Sequence, residues 1–486
     1  MAILVFCSAI PNGFISDDRM LLMERLDAPV TELPRVFTQS YWGERHGDGL
    51  YRPVALVAVG TERVAFGLNP IPYHLVSLAL HAMCSVLVWL ILRRLVSEPA
   101  AFTVALLFAA HPVHAESVIT AYGQADLLAA TFGLLAVHRF LAARGMLGTL
   151  LLLFLAMCCK ESAIVVPALM VLVRGLLPDR RSAAVADWFQ RRDWLLLIPA
   201  ATYLMLRWLA LDSLFVPPES TVAYGYRLPG RIKLIVVAIA HCIRLSILPW
   251  GQAVYYGHLR ESLIGMPVSE AETLVIALMA CVVYARLFGR TASLLAMGWF
   301  AIAVLPVAQL VPIGVVVAER TLYLAIVGPV VLVGMALAAL YARGPRWLGI
   351  GATAAVLAIY MGLSIRVAYR WRNEEALWRS TVEDHPRSPR ANATLGMVLL
   401  EGISPASPDP SSRPRIDEAR LYLNAALRLN PSLAQAFHGL GLVAMMDRDY
   451  LDAKRLLWRA YEIEPTESLE QSLHQCEELA RQAGVI

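Results

Sequence analysis

Charge is scarce in this sequence. Only 16% of its 486 residues are Asp, Glu, Lys or Arg, against 58% hydrophobic, and the mean hydropathy is +0.58. That balance excludes a soluble globular protein of ordinary composition. Lysine occurs only at Lys160, Lys233 and Lys454; with Ala, Leu and Arg abundant, this leans towards a bacterial origin. The net charge of +4 is spread over short loops, so no nucleic-acid partner is implied. The seven cysteines (Cys7, Cys84, Cys158, Cys159, Cys242, Cys281 and Cys476) show no metal-ligand spacing and lie mostly in apolar stretches. They read as buried thiols, not as a zinc motif or a disulfide framework. The opening MAILVFCSAIPNG lacks the basic n-region and small-residue cleavage site of a signal peptide. It reads as a first helix trimmed at its start.

What the sequence has in abundance is apolar runs. They cover 1–13, 71–92, 99–111, 117–138, 147–159, 163–176, 194–212, 231–248, 271–287, 291–307, 319–342 and 347–366. A straight span needs about 20 residues, so several of these are short. Arginines cluster in five breaks, marked by Arg93/Arg94, Arg139/Arg144, Arg174–Arg192, Arg286/Arg290 and Arg343/Arg346, as cytoplasmic loops do. With those loops inside, the 14–70 loop and the C-terminal tail both fall outside, provided one segment does not cross. The expected exception is 231–248, which begins RIK and carries His241 and Arg244. The predicted architecture is all-α: a membrane helix bundle of about 11 spans over 1–366, then a soluble helical domain over 367–486.

The tail carries a period. Pro431 and Pro465 are 34 residues apart and end the amphipathic stretches ARLYLNAALRLNP and AKRLLWRAYEIEP. Leu395-Gly396 and Leu440-Gly441 are 45 apart, one period plus an 11-residue insertion that matches the loop SPASPDPSSRPR. A 34-residue helix–turn–helix period with LG and a terminal Pro is the tetratricopeptide signature, and such repeats stack into a solenoid whose groove binds peptide.

Polar clusters interrupt the membrane domain near its external side. NGFISDDR places Asp17 and Asp18 together in the first loop, where a carboxylate pair reads as a solvated loop end, a cation site or a general base. The loop continues through Tyr41-Trp42-Gly43 and Tyr51-Arg52-Pro53, a surface suited to sugar or peptide or an interfacial aromatic belt. FAAHPVHAE offers His111, His114 and Glu116, but Pro112 separates the histidines, so they do not share a helix face as a zinc motif requires. Asp126 lies in an apolar segment, a functional position by default. Lys160-Glu161 reads as a local ion pair or a site pair, and Glu319, Arg320 and Tyr323 open another span, where Arg320 suits phosphate or snorkels. Collected at one depth, these residues suit a substrate with a lipid tail and a phosphate head.

NGFISDDR, YRP, HLVSLALHA, LFAAHPVHAESV with GQADLLA, CCKES, LPVAQLVPIG and AERTLYL, followed by the repeats, resemble the transmembrane and tetratricopeptide-repeat O-mannosyltransferase family, a branch of the GT-C glycosyltransferases. The resemblance covers nearly the whole chain in order; one departure is Gln309, where relatives usually have Asn. It implies an integral-membrane enzyme moving a sugar, commonly mannose, from a polyprenyl phosphate to protein hydroxyls, with Asp17 and Asp18 at the catalytic centre. His111, His114, Glu116, Lys160, Glu161, Glu319, Arg320 and Tyr323 are then the expected donor-binding residues, and Tyr51 and Arg52 belong to the acceptor loop. No cofactor is required, although Mg or Mn fits between paired aspartates. The expected partners are the lipid-linked donor, a protein acceptor engaged by the repeats, and the bilayer. The expected location is a bacterial inner membrane rather than an endoplasmic-reticulum membrane, with the repeats on the external face. A GT-C enzyme acting on lipid or glycan is the alternative; a transporter or a repeat-bearing scaffold is a more distant one.

Overall fold

Proline begins helix after helix in this chain, at first-turn positions where its missing N–H costs no hydrogen bond. The computed structural model describes every residue except 16, 27–29, 44–48, 180–184, 216–226, 253–285, 287–288, 290, 312–314, 316 and 486. The span expected over 271–287, Cys281 and most of the 249–270 loop lie outside the described residues. Among the described residues the secondary structure is entirely helical, in two compact units that part after Arg372.

In the first unit the helices that matter here are α1 (Ala2–Phe6), α2 (Pro53–Phe66), α3 (Pro70–Leu92), α4 (Glu98–Ala110), α5 (Ala115–Ile119), α6 (Gln124–Leu141), α7 (Met146–Cys159) and α8 (Val166–Gly175). They are followed by α9 (Ile198–Leu211), α10 (Leu228–Ile247), α11 (Thr291–Val307), α12 (Val327–Arg343) and α13 (Arg346–Arg370). Helix α3 is central and packs on α4 and α6; α7 lies on α6, and α12 on α4. Among the described residues three helical stretches are long and apolar enough to cross a membrane: Pro70–Leu92, Arg191–Leu211 and Arg346–Arg370. Helix α4 and the segment Pro112–Ile119 make a fourth if taken as one span bent by 48°. The bend has a local cause, because Pro112 has no N–H to offer and pushes His111 into an extended conformation (φ −68°, ψ 126°). Helices α7, α11 and α12 are apolar but shorter. Segment 231–248 lies in one unbroken helix, α10, which is not among the spanning candidates.

Two boundaries differ from expectation. The 14–70 stretch is not all loop, because Pro53 starts the 14-residue α2 there. The first unit also runs six residues past 366, because α13 continues to Arg370 and Asn12 donates from Nδ2 to the carbonyls of Ala368 (3.0 Å) and Trp371 (3.2 Å). Gln309 takes a left-handed φ of 59°, a region that Asn enters more readily than Gln, and its Nε2 donates to the Val315 carbonyl at 2.6 Å.

The second unit, described over 373–485, contains α14 (Glu374–Asp384), α15 (Pro389–Leu400), α16 (Arg413–Leu429), α17 (Ala434–Met446), α18 (Tyr450–Ile463) and α19 (Glu467–Gln482). Each packs on the next in sequence. Asn373, Ser388, Asp409, Asp449 and Thr466 cap their helices or turns through side-chain oxygens. Leu423 is fully buried between α15 and α17, where Gly396 and Gly439 leave space that a Cβ would close to 2.6 Å. Leu423→Ala is expected to destabilise this unit by about 2–5 kcal/mol, read as earlier proteolysis and denaturant unfolding of residues 373–486 within the full chain.

Candidate active site

The segment around the acid pair is fastened before it reaches the acids. Besides the two Asn12 bonds to α13, the Asn12 carbonyl meets His74 Nε2 on α3 at 3.1 Å, so that nitrogen carries the proton. Phe14 packs edge-on against Tyr73 (5.2 Å). Asp17 and Asp18 then open a helical turn, Asp17–Arg19, that runs into the wider turn Met20–Arg25.

The neighbouring acids have different surroundings. Asp17 is half-buried. Asp18 is fully buried; its Oδ1 accepts the Tyr122 backbone N–H at 2.9 Å and its Oδ2 has no hydrogen-bond partner among the described residues. Burial pushes the Asp18 carboxyl up to about 8 against the backbone N–H of Tyr122, and the charge of Asp17 adds to the rise.

Three ion pairs stand around the acids. Arg52 grips Glu161 with both arms of its fork, at 2.9 and 2.6 Å, and lies over the Tyr41 ring (5.2 Å). Lys160 Nζ meets Asp126 at 2.5 Å, both side chains almost fully buried. Arg320 pairs with Glu116, whose other oxygen accepts the Arg320 backbone N–H at 2.9 Å. Lys160 and Glu161 therefore do not pair with each other. Lys160 is extended (φ −157°, ψ 130°), which turns neighbouring side chains to opposite sides. Burial opposes ionisation of Glu161, but the Arg52 charge and hydrogen bonds prevail and hold it down at about 2. The groups form one electrostatic neighbourhood: Asp17, Asp126 and Glu116 act on Arg320, and Asp126, Arg52 and Arg320 act on Lys160.

Other expected site residues are more deeply embedded. His111 has both ring nitrogens occupied, Nε2 by the Ser246 carbonyl (3.2 Å) and Nδ1 by the Val113 N–H (3.3 Å), which leaves neither for a phosphate. His114 is buried among the rings of Phe108, His81 and Tyr323, with no hydrogen-bond partner for either nitrogen. The Tyr323 hydroxyl donates to His81 Nδ1 at 2.7 Å, because the other His81 nitrogen donates to the Ala109 carbonyl. Glu319 accepts from Gln252 Nε2 at 2.7 Å. Tyr51 is buried with its hydroxyl on the Phe37 carbonyl (3.0 Å), so it supports the chain while Arg52 faces the charges. Among the described residues no three His, Cys, Asp or Glu side chains converge as a metal site. Beside the Lys160–Asp126 pair, Asp126, Ser162, Thr321 and Tyr323 help line a cavity of about 30 Å³, room for a water and not for a sugar ring.

Three residues outside the expected site join it. Tyr122 touches both Asp18 and Glu116, the latter through its hydroxyl at 3.1 Å. Glu62 on α2 is buried and accepts from Gln124 Nε2 at 3.0 Å; burial pushes its carboxyl up to about 7 against that bond. The signal for Glu62 was a lone acid inside the apolar run PVALVAVGTERVAF; for Tyr122 and Gln124 it was their place beside Asp126 in YGQAD.

Sequence comparison places the chain among known proteins. It is 26% identical to Protein O-mannosyl-transferase Tmtc1 of Drosophila melanogaster over 90% of its own length and 62% of that protein. It is 25% identical to Protein O-mannosyl-transferase Tmtc3 of the same fly (92% and 57%), and 27% identical to human Protein O-mannosyl-transferase TMTC4 (82% and 63%). The chain is thus similar in sequence to protein O-mannosyl-transferases of the Tmtc type. It spans about three fifths of the length of these family members. No protein-family model matches it, and no solved structure does.

A buried acid with a raised pKa destabilises the fold as it ionises. The Asp18 contribution is fully present below about pH 4 and is lost as pH rises towards 8, since the folded state binds the extra proton. Thermal unfolding of the solubilised chain from pH 5 to 9 is expected to show Asp18→Asn more stable than the unmodified chain at pH 8, with a flatter pH profile. An unchanged slope would contradict the burial argument.

Proposed function

We propose that the chain is an integral-membrane glycosyltransferase that moves a sugar, mannose on the strength of its relatives' names, from a polyprenyl-phosphate donor to Ser or Thr hydroxyls of proteins. The observation that carries the reading is the convergence of an acid pair with three cations, Arg52, Lys160 and Arg320, drawn from distant parts of the chain.

A Ser or Thr hydroxyl is a poor nucleophile at neutral pH and needs a base as it attacks the anomeric carbon. Asp17 takes that role: it is the more exposed acid, while Asp18 is largely protonated near pH 7. Protonated, Asp18 adds no like charge beside Asp17. Attack opposite the phosphate inverts the anomeric centre. The departing polyprenyl phosphate carries negative charge, which Arg320 and Lys160 offset. A divalent cation at Asp17 and Asp18 would supplement that charge, and the scheme does not depend on one.

The finer architecture belongs to the same proposal. The first unit is a GT-C-like bundle of about 11 spans, in which short and bent helices share the crossing. The second is a tetratricopeptide solenoid, supported by the 34-residue period and the sequential helix pairs, and it presents acceptor protein at the external face of a bacterial inner membrane.

Asp17→Asn is expected to lower mannose transfer into membrane protein by at least about 100-fold with the chain still folded. Asp18→Asn, neutral like the protonated acid and still able to accept the Tyr122 N–H, is expected to keep more transfer than Asp17→Asn; full activity in both variants would remove the acid pair from the mechanism. Deleting residues 373–486 is expected to reduce transfer to protein more than donor hydrolysis. Product in lipid or glycan, with none in protein, would replace the protein acceptor by the alternative one.

A further inference from the structure

Tyr122 is the residue through which the two halves of the site meet. Its backbone N–H holds Asp18 Oδ1 (2.9 Å), its hydroxyl donates to Glu116 Oε1 (3.1 Å), and its ring lies beneath the Arg320 guanidinium at 5.0 Å. It belongs to a turn that leaves no freedom of placement. Thr120 Oγ1 accepts the Gly123 N–H at 3.1 Å, and a Cβ on Gly123 would stand 2.6 Å from the Ser117 carbonyl oxygen. The turn that aims the Tyr122 N–H at Asp18 is thus closed by a glycine that cannot be enlarged.

We propose that Tyr122 is a positioning residue that keeps Arg320 available to the donor phosphate by sharing the Glu116 carboxylate, while its backbone holds the acid pair in register. The inference rests on the glycosyl-transfer reading above. Glu116 is 3% exposed, so its charge has few partners; Arg320 supplies a side-chain and a backbone N–H, and Tyr122 supplies the hydroxyl. Arg320 is less enclosed than Glu116, with its side chain 23% exposed. A guanidinium presents five N–H donors, enough to hold one carboxylate and bind a phosphate, provided the carboxylate does not draw the whole fork to itself. The tyrosine hydroxyl prevents that by occupying one of the carboxylate's lone pairs. Without it, Glu116 turns fully onto Arg320 and the phosphate meets a more neutralised cation. The ring beneath Arg320 limits its tilt by a cation–π contact.

Tyr122→Phe tests this, since it preserves the backbone bond to Asp18 and the ring under Arg320 and removes only the hydroxyl. The full chain is assayed in membranes with radiolabelled polyprenyl-phosphate mannose as donor and the membrane's own proteins as acceptor. The donor KM is expected to rise at least fivefold, with the pH profile of transfer unchanged. Tyr122→Leu, which also removes the ring, is expected to raise it further. A Tyr122→Phe variant with the donor KM of the unmodified chain, whether or not Vmax falls, overturns the inference, because a purely structural role changes only the number of active molecules. No transfer by the unmodified chain would overturn the glycosyl-transfer reading itself, and this inference with it.

Discussion

A carboxyl group held out of water by backbone N–H groups, without a cation at its side, sets the terms for the site. Burying Asp18 is unfavourable for its ionised form, and nothing near it reverses that. The surrounding structure therefore has to hold the segment in place by other means. It does so with bonds of long sequence range: Asn12 to the end of α13, His74 to Asn12, and Tyr122 to Asp18. The destabilised group and the dense fastening around it belong together, as strain at a functional position is tolerated where neighbouring contacts over-determine it.

The ion pairs extend the same logic across the unit. Arg52–Glu161 joins residues 109 positions apart, and Arg320–Glu116 joins residues 204 apart. Pairs of this kind add little net stability relative to apolar packing, but losing Arg320 would strand the buried Glu116 charge. Their value here is register. The pairs are satisfied together only when the first loop, the bent α4–α5 segment, the α7–α8 break and the start of the 319–342 segment stand in one arrangement, so these charges check the packing that positions them.

Much of this was legible in the sequence, and the reasons for the remainder are physical. Asp17, Asp18, Glu116, Lys160, Glu161 and Arg320 were visible because charge inside or beside an apolar run is costly and so stands out. Who pairs with whom was not visible: Lys160 and Glu161 are neighbours in sequence but point apart on an extended backbone, and each finds its partner on another element. His111 and Tyr51 carry the right functional groups, yet backbone atoms occupy them, and spacing cannot reveal a carbonyl supplied from 135 residues away. Tyr122 stands in the polar stretch YGQAD, but its contact with Asp18 is not legible there because it is made by the N–H, which every residue but proline possesses. Helix α2 hid in a stretch read as loop because its 14 residues are too few to span and its acid looked like surface.

The unequal treatment of Asp17 and Asp18 is what turns two adjacent acids into a mechanism. Two equivalent carboxylates at one water-exposed loop would both ionise, repel each other and bind water or cations without distinction. Burying one and leaving the other half-buried separates their surroundings, and burial raises the affinity of Asp18 for a proton. The separation needs no special side chain. It follows from the turn beginning at Asp17, which puts successive residues on different faces, and from one backbone N–H at Tyr122 that draws Asp18 inward. On the proposed glycosyl-transfer reading, a base next to a proton-holding neighbour, with cations already paired to acids, would accept a proton and offset a leaving phosphate without a net charge being brought into the apolar interior.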